Sequence, residues 1–187
     1  MTHLVSAFHE LSPLGEEATH ELTACLYTEA FRPGDLLLKQ GQVCTKLFFI
    51  EQGIAKTFFA NDSREFIMRF FTEGSLFTVV DSFEYGVPSG YRIMALENTS
   101  VTYLHKADLE MLCRQHHSLE TAYRKLLAIA SINMMKRISE MLEENASERY
   151  NHFLRDHGHL LQRISLGDLA SYLGITQVSL SRIRADR

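Results

Sequence analysis

The sequence predicts an α+β chain. An N-terminal antiparallel double-stranded β-helix of jelly-roll type is followed by one long helix and a C-terminal helix-turn-helix without an evident wing. Three observations carry this expectation. Between residues 25 and 105, short runs rich in Phe, Ile, Val, Leu and Tyr alternate with turn signals. From Ser118 to about Glu144, apolar residues recur at a helical period. From Ser165 to Arg184, caps, apolar positions and a glycine fall where two short helices and a tight turn need them.

The length of 187 residues suits one large or two small domains with a real core. A hydrophobic content of 45% and a charged content of 22% are ordinary for a soluble globular chain. No run of 18 apolar residues is present, so no transmembrane helix and no membrane partner are expected. Met1-Thr-His-Leu-Val-Ser6 lacks the basic start and long apolar core of a secretion signal, so the expected location is the cytoplasm.

Taken in order, Pro13 to Thr23 reads as a short helix with proline in its first turn after Ser12. Seven or eight strands follow. They are separated by turns at Arg32-Pro-Gly-Asp35, Gly41, Gly53, Asn61-Asp-Ser63, Gly74, Gly86-Val-Pro88 and Asn98. Spacing of about ten residues suggests an antiparallel barrel or jelly-roll. A cupin has a similar roll, but it needs a His-x-His ligand pair on strands, and residues 25–105 contain none. Residues 106–117 read as a closing helix with Leu109 and Leu112 inward.

Ser118 is expected to cap the long helix. Leu119, Tyr123, Leu126, Leu127, Ala130, Met134, Ile138, Met141 and Leu142 form its apolar stripe. Some 27 residues make a helix about 40 Å long, more than one small roll can cover. The simpler explanation is a partner helix, hence a homodimer through this stripe. Asn145-Ala-Ser147 reads as a hinge, with Ser147 capping a helix over 148–156 whose Tyr150, Phe153 and Leu154 are apolar. The expected domains are 1–117, 118–145 and 146–187.

In the last stretch Ser165 and Asp168 form a capping-box-like pair. Leu166, Leu169, Ala170 and Leu173 share one face, Gly174 ends the helix, and Thr176 caps a second. Winding that second helix places Val178, Ser181, Arg182 and Ala185 opposite Leu180 and Ile183, with Gln177 and Ser179 on the flanks. Gln can pair with an adenine edge, Arg with a guanine edge, and Val can meet a thymine methyl. The expected partner is therefore double-stranded DNA. Gln177, Val178 and Arg182 are the candidate base readers, and Thr176, Ser179, Ser181 and Arg184 lie nearer phosphates. The alternative is a helical hairpin that only packs on a neighbour. Net charge is −4, but residues 1–119 carry 9 basic and 15 acidic side chains, whereas residues 120–187 carry 10 basic and 8 acidic. The basic excess lies with the helix-turn-helix. It is small, so weak nonspecific binding and a need for dimerisation are expected.

Gly167-Asp-Leu-Ala-Ser-Tyr-Leu-Gly-Ile-Thr176 followed by Ser179-Leu-Ser-Arg-Ile183 resembles the DNA-binding motif of the Crp/Fnr superfamily of bacterial transcription regulators, most closely a short-tailed group within it. Phe31-Arg-Pro-Gly-Asp35 with Gly41, Leu47-Phe-Phe-Ile-Glu-Gln-Gly53, and Glu73-Gly74 resemble the cyclic-nucleotide-binding roll of the same superfamily. The resemblance covers nearly the whole chain. It departs at Arg187, where the family often continues into a wing; either this group lacks a wing or the chain is truncated.

The resemblance also implies an effector site. The family's phosphate cassette holds a Glu for the ribose and an Arg followed by Ser or Thr for the phosphate. Aligned on Gly74 and on Ala95–Leu104, this chain has Thr78 and Val79 where Gly and Glu are expected, and Ser89 and Gly90 where Arg and Ser are expected. Arg92 lies three residues further on, facing the opposite side if residues 89–92 form a strand. Very weak or absent binding of cyclic AMP follows, because a phosphodiester without its guanidinium loses a bidentate, charge-assisted pair. The pocket is either empty or takes an unknown small-molecule effector against Thr78, Ser82, Tyr85, Ser89 and Tyr91. RNA polymerase is a further candidate partner.

Cys25, Cys44 and Cys113 are far apart without a CxxC pair, so buried, inert thiols are expected. His116-His117 and His157-Gly-His159 lack metal-ligand spacing with a carboxylate pair. No nucleophile–base constellation, Walker loop or dinucleotide fingerprint occurs, so neither catalysis, a metal nor a cofactor is expected. The rival function is a small-molecule-binding dimeric sensor whose C-terminal helices contact protein.

Overall fold

A computed structural model describes residues 2–61 and 64–185. Asp62 and Ser63 of the expected Asn61–Ser63 turn lie outside the described residues. The elements run α1 (His3–Leu11), α2 (Glu16–Ala24), β1 (Leu26–Phe31), β2 (Leu36–Leu38), β3 (Lys46–Gln52), β4 (Ala55–Asn61), β5 (Arg64–Phe71) and β6 (Leu76–Phe77). They continue with α3 (Val80–Tyr85), β7 (Arg92–Ala95), β8 (Thr99–His105), α4 (Lys106–Gln115), α5 (His117–Glu143), α6 (Ala146–His157), a 3₁₀ turn (Gly158–Gln162), α7 (Leu166–Leu173) and α8 (Gln177–Ala185). The strands form two four-stranded sheets, ordered β1-β8-β3-β6 and β2-β7-β4-β5. The expected α+β roll, long helix and helix-turn-helix are all present. The chain divides into two compact units: Met1–Thr57 with Phe70–Ala130, and Phe58–Arg69 with Ser131–Arg187.

In the first unit, β3 shows why the roll reads as it does. Successive strand residues point to opposite faces, and both faces of β3 are covered. Phe48 and Ile50 join Leu38, Ala55, Phe71, Phe77, Ile93 and Val101 in one apolar cluster. Leu47 and Phe49 join Leu4, Val5, Phe8, Leu22, Leu109, Leu112 and Leu119 of the helices in another. Leu47 to Ile50 is therefore an unbroken apolar run, as a strand buried on both sides requires. Gly53 follows at φ +99°, and a Cβ there would lie 2.7 Å from the Asn98 carbonyl oxygen. Only glycine meets both conditions.

The N-terminus departs from expectation. Residues 3–24 form two helices, not one over 13–23. Leu4, Val5 and Phe8 make a short buried stripe on α1. Ser12 is extended (φ −155°, ψ 127°) at the C-cap, as a residue before proline prefers. Pro13 thus ends α1 and does not open α2, whose N-cap is Gly15. Likewise α5 begins at His117, so Ser118 lies inside its first turn and is not the cap. His116 is the single extended residue between α4 and α5, and its Nε2 lies 2.8 Å from Glu21 Oε2.

In the second unit, α6 is capped by Asn145 and not by Ser147. Asn145 Oδ1 accepts from the Ser147 and Glu148 amides at 3.0 and 3.1 Å. Glu148 Oε2 accepts from the Asn145 amide at 2.8 Å. This reciprocal box holds the segment expected to be a hinge as an ordered first turn. Tyr150 and Phe153 are buried on α6, whereas Leu154 is half-buried.

Candidate nucleic-acid interface and roll interior

The local signals of residues 165–184 produce the expected geometry. Ser165 Oγ accepts from the Asp168 amide at 3.0 Å and donates to Asp168 Oδ2 at 2.7 Å. Leu169, Ala170 and Leu173 are buried on α7, and Gly174 turns the chain at φ 72°. Thr176 Oγ1 accepts from the Ser179 amide at 3.1 Å and contacts the Ser179 hydroxyl at 3.0 Å. Leu180 anchors α8 at 1% exposure, with Ile183 half-buried. The opposite face carries Val178, Ser181 and Arg182, all exposed, flanked by exposed Gln177 and Arg184. Spacing of i, i+3 and i+4 puts the three on one stripe. The hydroxyls of Thr176 and Ser179 already serve the cap.

Three residues not singled out as DNA-site candidates hold the far end of α7. Arg137 on α5 donates from Nη2 to the Tyr172 carbonyl oxygen, and its guanidinium sits 4.1 Å from the centroid of the Tyr172 ring. Arg149 on α6 donates from Nε to the Leu173 carbonyl oxygen at 3.1 Å. The Met141 methyl lies 2.9 Å from where a Gly174 Cβ would be. Burial raises the Tyr172 phenol above its ordinary value. Sequence shows Arg137 and Arg149 only as helical cations; no spacing rule links them to residues 172 and 173.

The stripe of α5 divides. Leu119 and Tyr123 are enclosed in the protomer's own core at 0% and 9% exposure, so they are not free to meet a partner. Leu126 and Leu127 pack partly on the same cluster, and Ala130 is half-buried. Met134, Ile138 and Met141 are exposed, as are Ile129, Ile132, Met135 and Leu142. The candidate interface is thus the second half of the helix, widened by Ile129, Ile132 and Met135, which the period-based stripe left out. Tyr123 donates to Glu84 Oε1, and burial followed by that bond raises its phenol.

The roll interior differs from the expected pocket. Phe71 stacks on Phe77 with centroids 3.8 Å apart, and Phe77 stacks on Phe48 at 5.6 Å. Phe48 meets Tyr103 at 6.3 Å, and Tyr103 stacks on Tyr27 at 5.5 Å. An open cleft of about 270 Å³ lies along the segment joining β2 and β3, lined by Leu37, Leu38, Gln42, Cys44, Lys46 and Phe48 among others. None of the five candidate pocket residues lines it. Thr78 donates to the Lys46 carbonyl oxygen at 2.9 Å. Ser82 Oγ accepts from the Cys44 amide at 2.8 Å and donates to the Val87 carbonyl oxygen at 2.6 Å. Ser89 Oγ donates to the Tyr91 carbonyl oxygen and accepts from the Tyr91 amide, both at 3.0 Å. Tyr85 is 83% exposed, and Tyr91 packs half-buried on the interior cluster.

Residues 89–91 precede β7, so the strand-parity argument for Arg92 does not apply. Arg92 Nη2 instead donates to Gln40 Oε1 at 3.4 Å, near the surface. The turn glutamate has a structural partner: Glu73 Oε1 accepts from the Gly53 amide at 2.9 Å. Of the thiols, only Cys44 is buried; Cys25 and Cys113 are half-buried, and all three are free. Among the described residues no helix is long and apolar enough to cross a membrane.

This architecture, a two-sheet roll, a long helix and a capped helix-turn-helix, is the fold that the resemblance drawn from the sequence implies. More particularly, residues 28–116 match the cyclic nucleotide-binding domain family. FixK2 from Bradyrhizobium japonicum superposes with a TM-score of 0.74 at 20% identity, over 86% of this chain and 83% of that one. A protein described as a transcriptional regulator of the crp/fnr family, from Eubacterium rectale, gives 0.72 at 15%, over 91% and 82%. The Thermus thermophilus catabolite activator protein gives 0.61 at 19%, over 96% and 85%. No curated protein sequence matches the chain significantly.

Proposed function

We propose that this chain is a sequence-specific, DNA-binding transcriptional regulator of Crp/Fnr type, not an enzyme, that works as a homodimer. The observation that carries the reading is the exposed stripe Val178, Ser181 and Arg182 on a helix capped by Thr176 and anchored by Leu180. A helix so presented fits the major groove. Arg182 is the base reader for a guanine edge, Val178 for a thymine methyl, and Gln177 for adenine. Thr176, Ser179, Ser181 and Arg184 face the backbone. Residues 1–117 act as sensor scaffold, 118–145 as dimerisation helix and 146–187 as reader. RNA polymerase is a natural further partner.

The roll binds cyclic AMP very weakly or not at all. Thr78, Val79, Ser89 and Gly90 supply no charge where a ribose and a phosphate would need it. The stacked rings of Phe71, Phe77 and Phe48 also occupy part of the roll's buried interior. Any effector is a different small molecule.

Binding to random DNA across salt concentrations is the test. Affinity falling with log salt at about −0.9 per neutralised phosphate is expected. Arg182→Ala should cost about 1–3 kcal/mol on a selected site and relax one base position. Absence of any salt-dependent DNA binding would remove the regulator reading and favour a dimeric sensor that contacts protein.

A further inference from the structure

The last carbonyls of a helix have no partner within it. In α7 two arginines from other elements take them. Arg137, rooted on α5, donates to the Tyr172 carbonyl and stacks on its ring. Its Nη1 lies 3.7 Å from Glu140 Oε2 on its own helix. Arg149, rooted on α6, donates to the Leu173 carbonyl and, through Nη1, to the Glu144 carbonyl at the end of α5. Met141 closes against Gly174. The Tyr172 ring is itself held edge-on by Phe153, with centroids 5.4 Å apart.

Each guanidinium also places positive charge at the negative end of α7, where it is favourable. A planar fork fixes direction as well as distance, which a lysine ammonium does not. Only Gly174, Ile175 and Thr176 separate this held end from α8. The direction of α8 therefore follows from the second half of α5, the segment whose exposed apolar face meets a partner in the proposed dimer.

We propose that Arg137 and Arg149 are positioning residues for DNA recognition: they lock the reader to the second half of α5, so that the dimer accepts only one spacing between DNA half-sites. The inference rests on the regulator reading above. Two recognition helices in a two-fold dimer must stand about 34 Å apart to meet successive major grooves. A loose joint would tolerate shifted half-sites, whereas a locked one would not.

The experiment uses the full chain. Wild type, Arg137→Ala and Arg137→Lys are compared on a selected palindrome, on the same palindrome with its centre lengthened or shortened by two base pairs, and on a single half-site. Wild type should lose about tenfold or more on a shifted site, and both variants about threefold or less, with half-site affinity unchanged. Parallel losses on every DNA, half-site included, would mean a merely structural role and overturn the proposal. Full spacing discrimination in Arg137→Ala would overturn it too. A readout that needs no DNA keeps it separable from the regulator reading: spin labels at position 181 of each protomer. Their distance distribution should be narrow in wild type and broad in Arg137→Ala; equal widths refute the lock even if no DNA is bound.

Discussion

Replacing Met134 and Ile138 together by glutamate tests the assembly. In the single chain these side chains are 52% and 45% exposed, so about half of each is left for a partner to cover. Fully burying a side chain of this size is worth about 1.5–3 kcal/mol. Half of that, over the four side chains of a two-fold dimer, is about 3–6 kcal/mol. Burying the new carboxylates adds a further cost. At 1.4 kcal/mol per tenfold, the dimer should dissociate roughly a hundredfold to ten-thousandfold more readily. Sedimentation velocity over a concentration series measures this directly. The variant's own fold should survive, because both positions face solvent in the protomer, and its circular dichroism spectrum should match wild type. DNA affinity should fall with the dimer. A variant that sediments as wild type, or a wild type that is monomeric at micromolar concentration, refutes the reasoning.

Gly53→Ala should destabilise the roll by about 2–4 kcal/mol, from left-handed strain and from overpacking, because the new Cβ would meet Thr99 Oγ1 at 2.5 Å and the Asn98 carbonyl oxygen at 2.7 Å. Thermal melts check it, and an unchanged Tm would show that the β3–β4 turn can relax. Gly167→Ala should behave oppositely: the one close approach of its Cβ would be to the Gln177 Nε2 tip at 2.7 Å, which can swing away, with Ser165 Oγ at an ordinary 3.6 Å. Alanine adds about 0.5–1 kcal/mol of helix stability. Tm should hold or rise while site preference shifts at one base, read by selection from random DNA. Burial, then the charge of Glu120, pushes the Cys113 thiol from 9.0 up to about 12. Its folded value exceeds its unfolded one, so that contribution to stability is full below pH 9 and is lost as pH rises toward 12. Iodoacetamide at pH 8 should modify native Cys113 about a hundredfold or more slower than the unfolded chain; rapid native labelling would contradict the burial. Titration calorimetry with cyclic AMP and cyclic GMP should show no binding at micromolar concentrations, and micromolar or tighter binding by wild type would overturn the proposed loss of nucleotide affinity.

How much was legible in the chain follows the range of the forces involved. Ser165, Gly174 and Thr176 act within three or four residues of themselves, so their caps and turn could be read directly and were found in place. The glycine turns of the roll at Gly34, Gly41, Gly53, Gly74 and Gly86 were legible for the same reason. Helix α1 was not, because its stripe of Leu4, Val5 and Phe8 is short, and only the sheet face bearing Leu47 and Phe49 makes it worth forming. The cap at Asn145 was missed in favour of Ser147 because both residue types cap helices, and the reciprocal bond from Glu148 decides between them.

The effector candidates show the other limit. Sequence placed Ser82 and Ser89 near a pocket, but their hydroxyls are consumed by backbone groups at Val87, Cys44 and Tyr91. Such bonds arise where loops converge, and no local pattern reports them. The apolar stripe of α5 was read as one surface. Tertiary packing divided it, since Leu119 and Tyr123 are enclosed in a core while Met134 and Ile138 stay exposed.

By itself, then, the sequence determined the succession of roll, long helix and helix-turn-helix and the exposed stripe of α8, because periodicity and capping are short-range. Only the tertiary structure decided which apolar residues remain free, which polar groups are already satisfied, and that Arg137 and Arg149 close the end of α7. Each of those outcomes depends on groups distant in sequence competing for the same space or the same hydrogen-bond partner, and that competition is settled only when the chain has folded.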